Sequence, residues 1–282
     1  MLNAQHINKS YQHDVLTDVN VTLKPGTIYG LFGRNGIGKT TLLKILSNHI
    51  VHYQGEVHLD GKVLKENDPL TSQVYLSLDY TDPTLEHQKL NNLISFAAAS
   101  LPHFDASYLE QLMGTFNLNP KAKLKSLSKG TRILFFTLLG LASGAPYTFF
   151  DEPTAGLDPA NKELLFKQIQ AIRDDGRCVV IATHDIGEME RLVDHVLILN
   201  ADVVLDASME EIADKAFRVF GDQATLDAHL AGKNILGRDT FGGKSIVYIY
   251  DTLAPTAQLD IAPLSLKDLF IYLTGGNAHV ES

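Results

Sequence analysis

The feature that most constrains this chain is a stretch of nine residues, Gly33-Arg34-Asn35-Gly36-Ile37-Gly38-Lys39-Thr40-Thr41. The apolar run before it, Thr27 to Phe32, reads as a strand, and Thr40 to His49 after it has the spacing of an amphipathic helix. A glycine-rich turn between a strand and a helix is a phosphate cradle. Gly33, Gly36 and Gly38 let the backbone turn tightly with no Cβ in the way, so that successive N–H groups and the positive end of the helix point at one anion. Lys39 adds a full charge, Thr40 a hydroxyl able to join the shell of a magnesium ion bridging phosphates, and Thr41 a further donor. With glycine at about 7% of residues, such a pattern arises by chance in roughly one chain of this length in a hundred. An ordinary turn before a helix therefore explains it poorly.

The length, 282 residues, accommodates one large domain or one domain with a small appendage. A content of 45% hydrophobic and 20% charged residues is that of a globular chain with a core. The formal net charge of −9 opposes non-specific binding of nucleic acid, so no nucleic-acid partner is expected. Cys178 is the lone cysteine; it can form no intramolecular disulfide, and its apolar neighbours make it a small buried hydrophobe suited to a reducing compartment. The N-terminal residues are too polar for a secretory signal. The most apolar segment, Ile133 to Ala142, is well short of the roughly 20 residues a membrane span needs. The expectation is a chain that does not enter a bilayer by itself.

Taken in order, Val15 to Leu23 reads as an edge strand, Gly55 to Leu64 as a strand pair turning at Asp60-Gly61, and Val74 to Leu78 as a short strand. From Tyr80 to Ser126 the periodicity turns helical, which predicts a helical insert. Ser128 is the predicted N-cap of an all-apolar, buried helix around Ile133 to Leu141. Tyr147 to Phe150 reads as a strand ending in Asp151-Glu152-Pro153, and Asp158-Pro159 opens a helix that runs to about Asp174. Strands follow at Cys178 to Thr183 and His195 to Asn200, with a short helix around Ile186 to Leu192 between them. This alternation predicts an α/β fold with a mainly parallel sheet covered on both faces. Beyond Lys215 the pattern weakens to a small α/β appendage, with strands at Ala216 to Phe220 and Ser245 to Tyr250 and helices at Thr225 to Leu230 and Leu266 to Leu273.

Asp151 and Glu152 close a buried strand at the edge where the glycine-rich loop also lies. Asp151 is placed to hold magnesium, directly or through water, and Glu152 to orient and polarise the water that attacks a γ-phosphate. His184 follows a later strand; alone it is as well read as a structural histidine as a donor to a γ-phosphate.

The order of motifs resembles the nucleotide-binding subunit of an ATP-binding cassette transporter: GRNGIGKTT, LSKGT (Leu127 to Thr131), YTFFDEPTAGLDP (Tyr147 to Pro159) and IATHD (Ile181 to Asp185). The likeness covers about Met1 to Glu211. It implies the P-loop ATPase fold of that family, with an antiparallel β subdomain, an ATPase domain over 1–214, a helical insert over about 80–143 and the appendage over 215–282. It also implies ATP and Mg2+ as cofactors, with Tyr11 stacking on adenine and His184 as the switch histidine. Ser128, Lys129 and Gly130 would face the γ-phosphate held by a second subunit, identical or not, and Ala155 to Asp158 would line the dimer interface. An integral membrane permease, encoded separately, would be driven from the cytoplasmic face of the membrane.

Two departures stand out. Lys129 and Thr131 replace the first glycine and the glutamine of the usual LSGGQ signature, and Asp79 stands where the family places a glutamine that senses magnesium and the permease. An aspartate there can bind magnesium but is shorter and charged. The ending SLKDLFIYLTGG (Ser265 to Gly276) resembles the tail of exporter-type subunits, and equally reads as an amphipathic helix sealing the appendage. The reading is a transport ATPase, with an exporter as the implied direction. The alternative, a soluble cassette ATPase acting on ribosomes or nucleic acid, lacks both the second cassette and the long coiled-coil insertion common in such relatives.

Overall fold

A computed structural model describes residues 1–65, 69–78, 83–242, 244–254 and 258–275, so the expectations placed on Asp79 and Tyr80 lie outside the described residues. The chain opens with β1 (Leu2–Ser10), β2 (Asp14–Leu23), β3 (Ile28–Phe32), α1 (Lys39–Leu46), β4 (Gln54–Leu59), β5 (Lys62–Val63) and β6 (Val74–Ser77). A mostly helical stretch follows, with α2 (Pro83–Glu86), α3 (Leu90–Ser100), α4 (Ala106–Thr115) and α5 (Lys129–Ala142). Then come β7 (Tyr147–Asp151), α6 (Pro159–Asp174), β8 (Cys178–Thr183), α7 (Ile186–Met189), β9 (His195–Asn200) and β10 (Asp202–Ser208). The last stretch holds α8 (Met209–Lys215), β11 (Ala216–Gly221), α9 (Gln223–His229), β12 (Ile235–Phe241), β13 (Lys244–Tyr250), β14 (Asp260–Pro263) and α10 (Leu266–Leu273).

The central sheet has the order β10-β9-β3-β8-β7-β6, parallel throughout except for β10, which pairs antiparallel at one edge. Its strands alternate between two cores rather than between core and water. Ile28 and Phe32 of β3, Phe150 of β7, and Val179 and Ile181 of β8 join the helices α4, α5 and α6 in one apolar cluster. Tyr29, Leu31, Tyr147, Phe149, Cys178 and Val180 face the other way, against α1 and the antiparallel sheet β2-β1-β4-β5. Burial on both faces is why these strands read as unbroken apolar runs. A third, antiparallel sheet, β12-β13-β11-β14, carries its own small core around Val219, Leu226, Val247 and Ile249. Leu264, Leu266 and Leu269 at the start of α10 return to the large core and pack with Ile186 and Met189 of α7.

Local chemistry sets the helix ends that matter. Ser128 caps α5 by accepting from the Thr131 N–H at 3.1 Å, and Asp158 caps α6 by accepting from the Asn161 N–H at 2.9 Å, with Pro159 in the first turn. The far end of α5 is buried and is closed by Arg177. Its guanidinium donates to the carbonyls of Gly140 (2.9 Å), Leu141 (2.6 Å) and Ala145 (2.8 Å) and to the Thr148 hydroxyl (2.6 Å). Burial pushes the Arg177 pKa down to about 10.

Candidate functional site

Because β3, β7 and β8 are parallel, their carboxyl ends share one edge of the sheet. Phe32 lies beside Thr183, and Asp151 beside Ala182. The loop that begins at Gly33, the pair Asp151-Glu152, and His184 therefore leave the sheet at one place.

The loop turns into α1 through Gly38, whose φ of +112° belongs to glycine, and a Cβ there would sit 2.9 Å from the side chains of Val15 and Leu16. Gly38 is also the N-cap of α1 and offers no side chain to the first-turn N–H groups. Those groups and the helix dipole point into the loop. Lys39 is 6% exposed, and its Nζ donates to the carbonyl oxygens of Gly33 (2.7 Å) and Arg34 (3.2 Å). Burial holds its pKa below the usual lysine range, while Glu152 and Asp151 pull it upward. The next residue, Thr40, donates its hydroxyl to Asp151 Oδ2 at 2.6 Å. Desolvation raises the Asp151 pKa against that hydrogen bond.

Glu152 adopts a left-handed conformation, φ +50°, uncommon for a side chain of its size. Several bonds hold it there. Its N–H donates to Ala182 O (2.8 Å), and its carboxylate accepts from the Thr183 hydroxyl (2.8 Å), the His184 N–H (3.1 Å) and His184 Nδ1 (2.7 Å). With Nδ1 committed to Glu152, Nε2 is the ring nitrogen left for another partner, and the His184 side chain is 61% exposed. The turn thus joins a carboxylate and an imidazole into one hydrogen-bonded unit at the strand end.

A cleft of about 370 Å³ opens over the glycine-rich loop and the two acids, lined among others by Tyr11, Asn35, Gly36, Thr41, Asp151 and Glu152, while His184 reaches it only through its bond to Glu152. Val15 also lines it, a residue that reads in the sequence only as part of an edge strand. Thr183 is the other residue that sequence reasoning missed; its only signal is its place between a buried strand and His184. Arg34 and Ile37 serve the loop differently: the Arg34 carbonyl accepts from Ile37 N–H and Lys39, and the Ile37 side chain packs on the second core. Ser128, Lys129 and Gly130 do not line the cleft. They stand at the start of α5, where a Cβ on Gly130 would come within 2.7 Å of the Gly156 carbonyl oxygen. Gly130 thus lets α5 touch the loop that follows β7. The donor set Thr40 hydroxyl plus Asp151 carboxylate fits a magnesium ion, which takes one or two protein oxygens and otherwise keeps waters and substrate phosphates.

A family model described as ABC transporter matches residues 16–155. Over 225 residues the chain is 30% identical to the manganese transport system ATP-binding protein MntB of Listeria innocua, which spans 74% of this chain and 91% of that protein. Over 302 residues it is 25% identical to the Nod factor export ATP-binding protein I of Cupriavidus metallidurans, which spans 98% of this chain and 97% of that one. A solved dimeric structure of a bacterial ABC transporter cassette aligns with a TM-score of 0.65 and 21% identity, covering 74% of this chain and 99% of that one.

Proposed function

Because the chain belongs to the ABC transporter family, as an ATP-binding subunit and ATPase, we propose that it works as one half of a cassette dimer that drives export through a separate membrane permease. The observation that carries the site reading is the convergence of Lys39, the Thr40–Asp151 pair and the Glu152–His184 pair at one sheet edge. The first-turn N–H groups of α1 and Lys39 receive the β and γ phosphates. Thr40 and Asp151 would hold Mg2+, which when bound would supply positive charge against the phosphates. Glu152 orients the attacking water and takes its proton, and His184 presents Nε2 toward the γ-phosphate. Tyr11, 61% exposed at the rim of the cleft, stacks on adenine.

The dimer accounts for the residues that stand outside the cleft. Ser128 and Gly130 stand at the start of α5 and do not line this chain's own cleft; they serve the γ-phosphate held by a second subunit. The related cassette solved as a dimer supports that arrangement. Among the described residues no helix is long and apolar enough to cross a membrane. The permease is read as a separate chain that this subunit meets on its cytoplasmic side. An apolar groove formed by Tyr75, Leu85, Leu93, Phe96, Leu101 and Phe136 offers the permease a docking surface, with Phe96 74% exposed at its rim. The relatives differ in what they are named for, one for manganese transport and one for Nod factor export. The likeness to the export subunit runs through the C-terminal segment and spans 98% of the chain, which supports the exporter direction.

Purification from its native cells in mild detergent should bring down an integral membrane protein, and vesicles bearing the pair should move a solute only with ATP. A chain that fractionates with ribosomes and without any membrane protein would overturn the proposal.

A further inference from the structure

Tyr11 stands at the tip of the β1–β2 hairpin, where a ring 61% exposed to water has little packing to hold it. The turn itself is pinned by Ser10 Oγ donating to Asp14 Oδ1 at 2.6 Å and by the Tyr11 N–H donating to His13 O at 3.0 Å. Those bonds fix the backbone and leave the ring free to turn. One side chain acts on the ring directly: Lys9 Nζ lies 4.8 Å from its centroid, over the face. The ammonium is itself tethered, donating to the His52 carbonyl oxygen at 2.6 Å across to the segment that enters β4.

From this geometry we infer that Lys9 is a positioning residue for base recognition, holding the Tyr11 ring by a cation–π contact so that its opposite face is presented to the purine of the bound nucleotide. The inference rests on the reading of Tyr11 as the adenine platform. An aromatic ring has two faces, and the one under the ammonium is taken, so a base stacks on the other. The tether to His52 O sets the position of the cation, and the cation sets the plane of the ring, which removes part of the ordering cost that an exposed side chain would otherwise meet on binding. A cation on one face also draws π density away from the other, which improves its match to an electron-rich purine. Lys9 touches neither phosphate nor base in this arrangement, so its effect should appear only in ligands that carry a base.

The test is a double-mutant cycle read by calorimetric titration of the full-length protein with ATP, ADP and inorganic tripolyphosphate. Lys9→Met keeps the length of the side chain and removes the charge; it should weaken ATP and ADP by the same factor, about two- to five-fold for an exposed cation–π contact, and leave tripolyphosphate unchanged. Lys9→Arg should restore most of the loss, since guanidinium also lies over aromatic faces. In a Tyr11→Ala background, Lys9→Met should have no further effect. An equal loss for tripolyphosphate would assign Lys9 to the phosphates instead, and a loss that persists without the Tyr11 ring would make its role general folding; either result overturns the inference. If Tyr11→Ala weakens ATP while Lys9→Met alone does not, the inference fails and the platform stands. If Tyr11→Ala leaves ATP affinity unchanged, the platform reading fails and takes the inference with it.

Discussion

Asp151 illustrates how the site sets function against stability. Its carboxyl is pushed above the usual range mainly by burial, with the Thr40 hydrogen bond and Lys39 only partly offsetting it. A carboxyl whose folded pKa lies above its unfolded value contributes stability below the ordinary aspartate range and loses it as pH rises through the folded pKa, so at neutral pH the ionised group is a net cost to folding. Asp151→Asn keeps an acceptor for Thr40 and removes the charge. The variant should melt at a higher temperature than the parent at pH 7, the gap should close as the pH falls below the ordinary aspartate range, and Mg2+ with ADP should stabilise the parent more than the variant. A lower melting temperature for Asp151→Asn at pH 7 would show that the ionised carboxylate is held by attraction rather than by necessity. Function retaining a locally unfavourable group is a familiar pattern in active sites.

At the scale of elements, the signature helix α5 depends on Arg177, whose guanidinium closes its last turn. Arg177→Met leaves the buried carbonyls of Leu141, Gly140 and Ala145 without that donor, and the loss should be at least about 3 kcal/mol in a denaturant titration. Arg177→Lys should recover only part of it, because one ammonium cannot replace a planar fork. The elements legible in the sequence share a cause: β3, β7 and β8 are buried on both faces and read as apolar runs, and the segments around α5, α6 and α10 carry caps and apolar faces. Three of the strands that escaped the reading are edges. β10 and β14 lie at sheet margins, and β12, with Gly237, Arg238 and Asp239 inside it, lies at the outer side of the third sheet. An edge strand needs only one partner, so its pattern is weak. In the site, the glycine-rich loop and the two acids announce themselves by spacing. The Thr183–Glu152 bond and the Lys9–Tyr11 contact depend on strand register and hairpin geometry, which no local pattern encodes.

Across the whole molecule, the proposed ATP site lies at the carboxyl edge of the central sheet, and the apolar groove around Phe96 lies apart from it. The groove is the place to separate coupling from chemistry. Phe96→Glu puts a charge on its exposed rim without touching the cleft, so it should leave ATP hydrolysis by the isolated subunit within about two-fold, in the range of ordinary surface changes, while permease-coupled transport falls. Normal transport by this variant would move the docking surface elsewhere. The central claim concerns Glu152, held at φ +50° by Thr183 and His184 at the end of β7. Glu152→Gln preserves its shape and an acceptor for those partners but cannot take a proton from water. The most direct measurement is steady-state phosphate release from Mg·ATP by the purified wild type and Glu152→Gln, with ATP affinity measured alongside. The account predicts unchanged ATP affinity and a fall in turnover of about 10²- to 10⁴-fold, the contribution expected of a general base; hydrolysis by Glu152→Gln at the wild-type rate would contradict it.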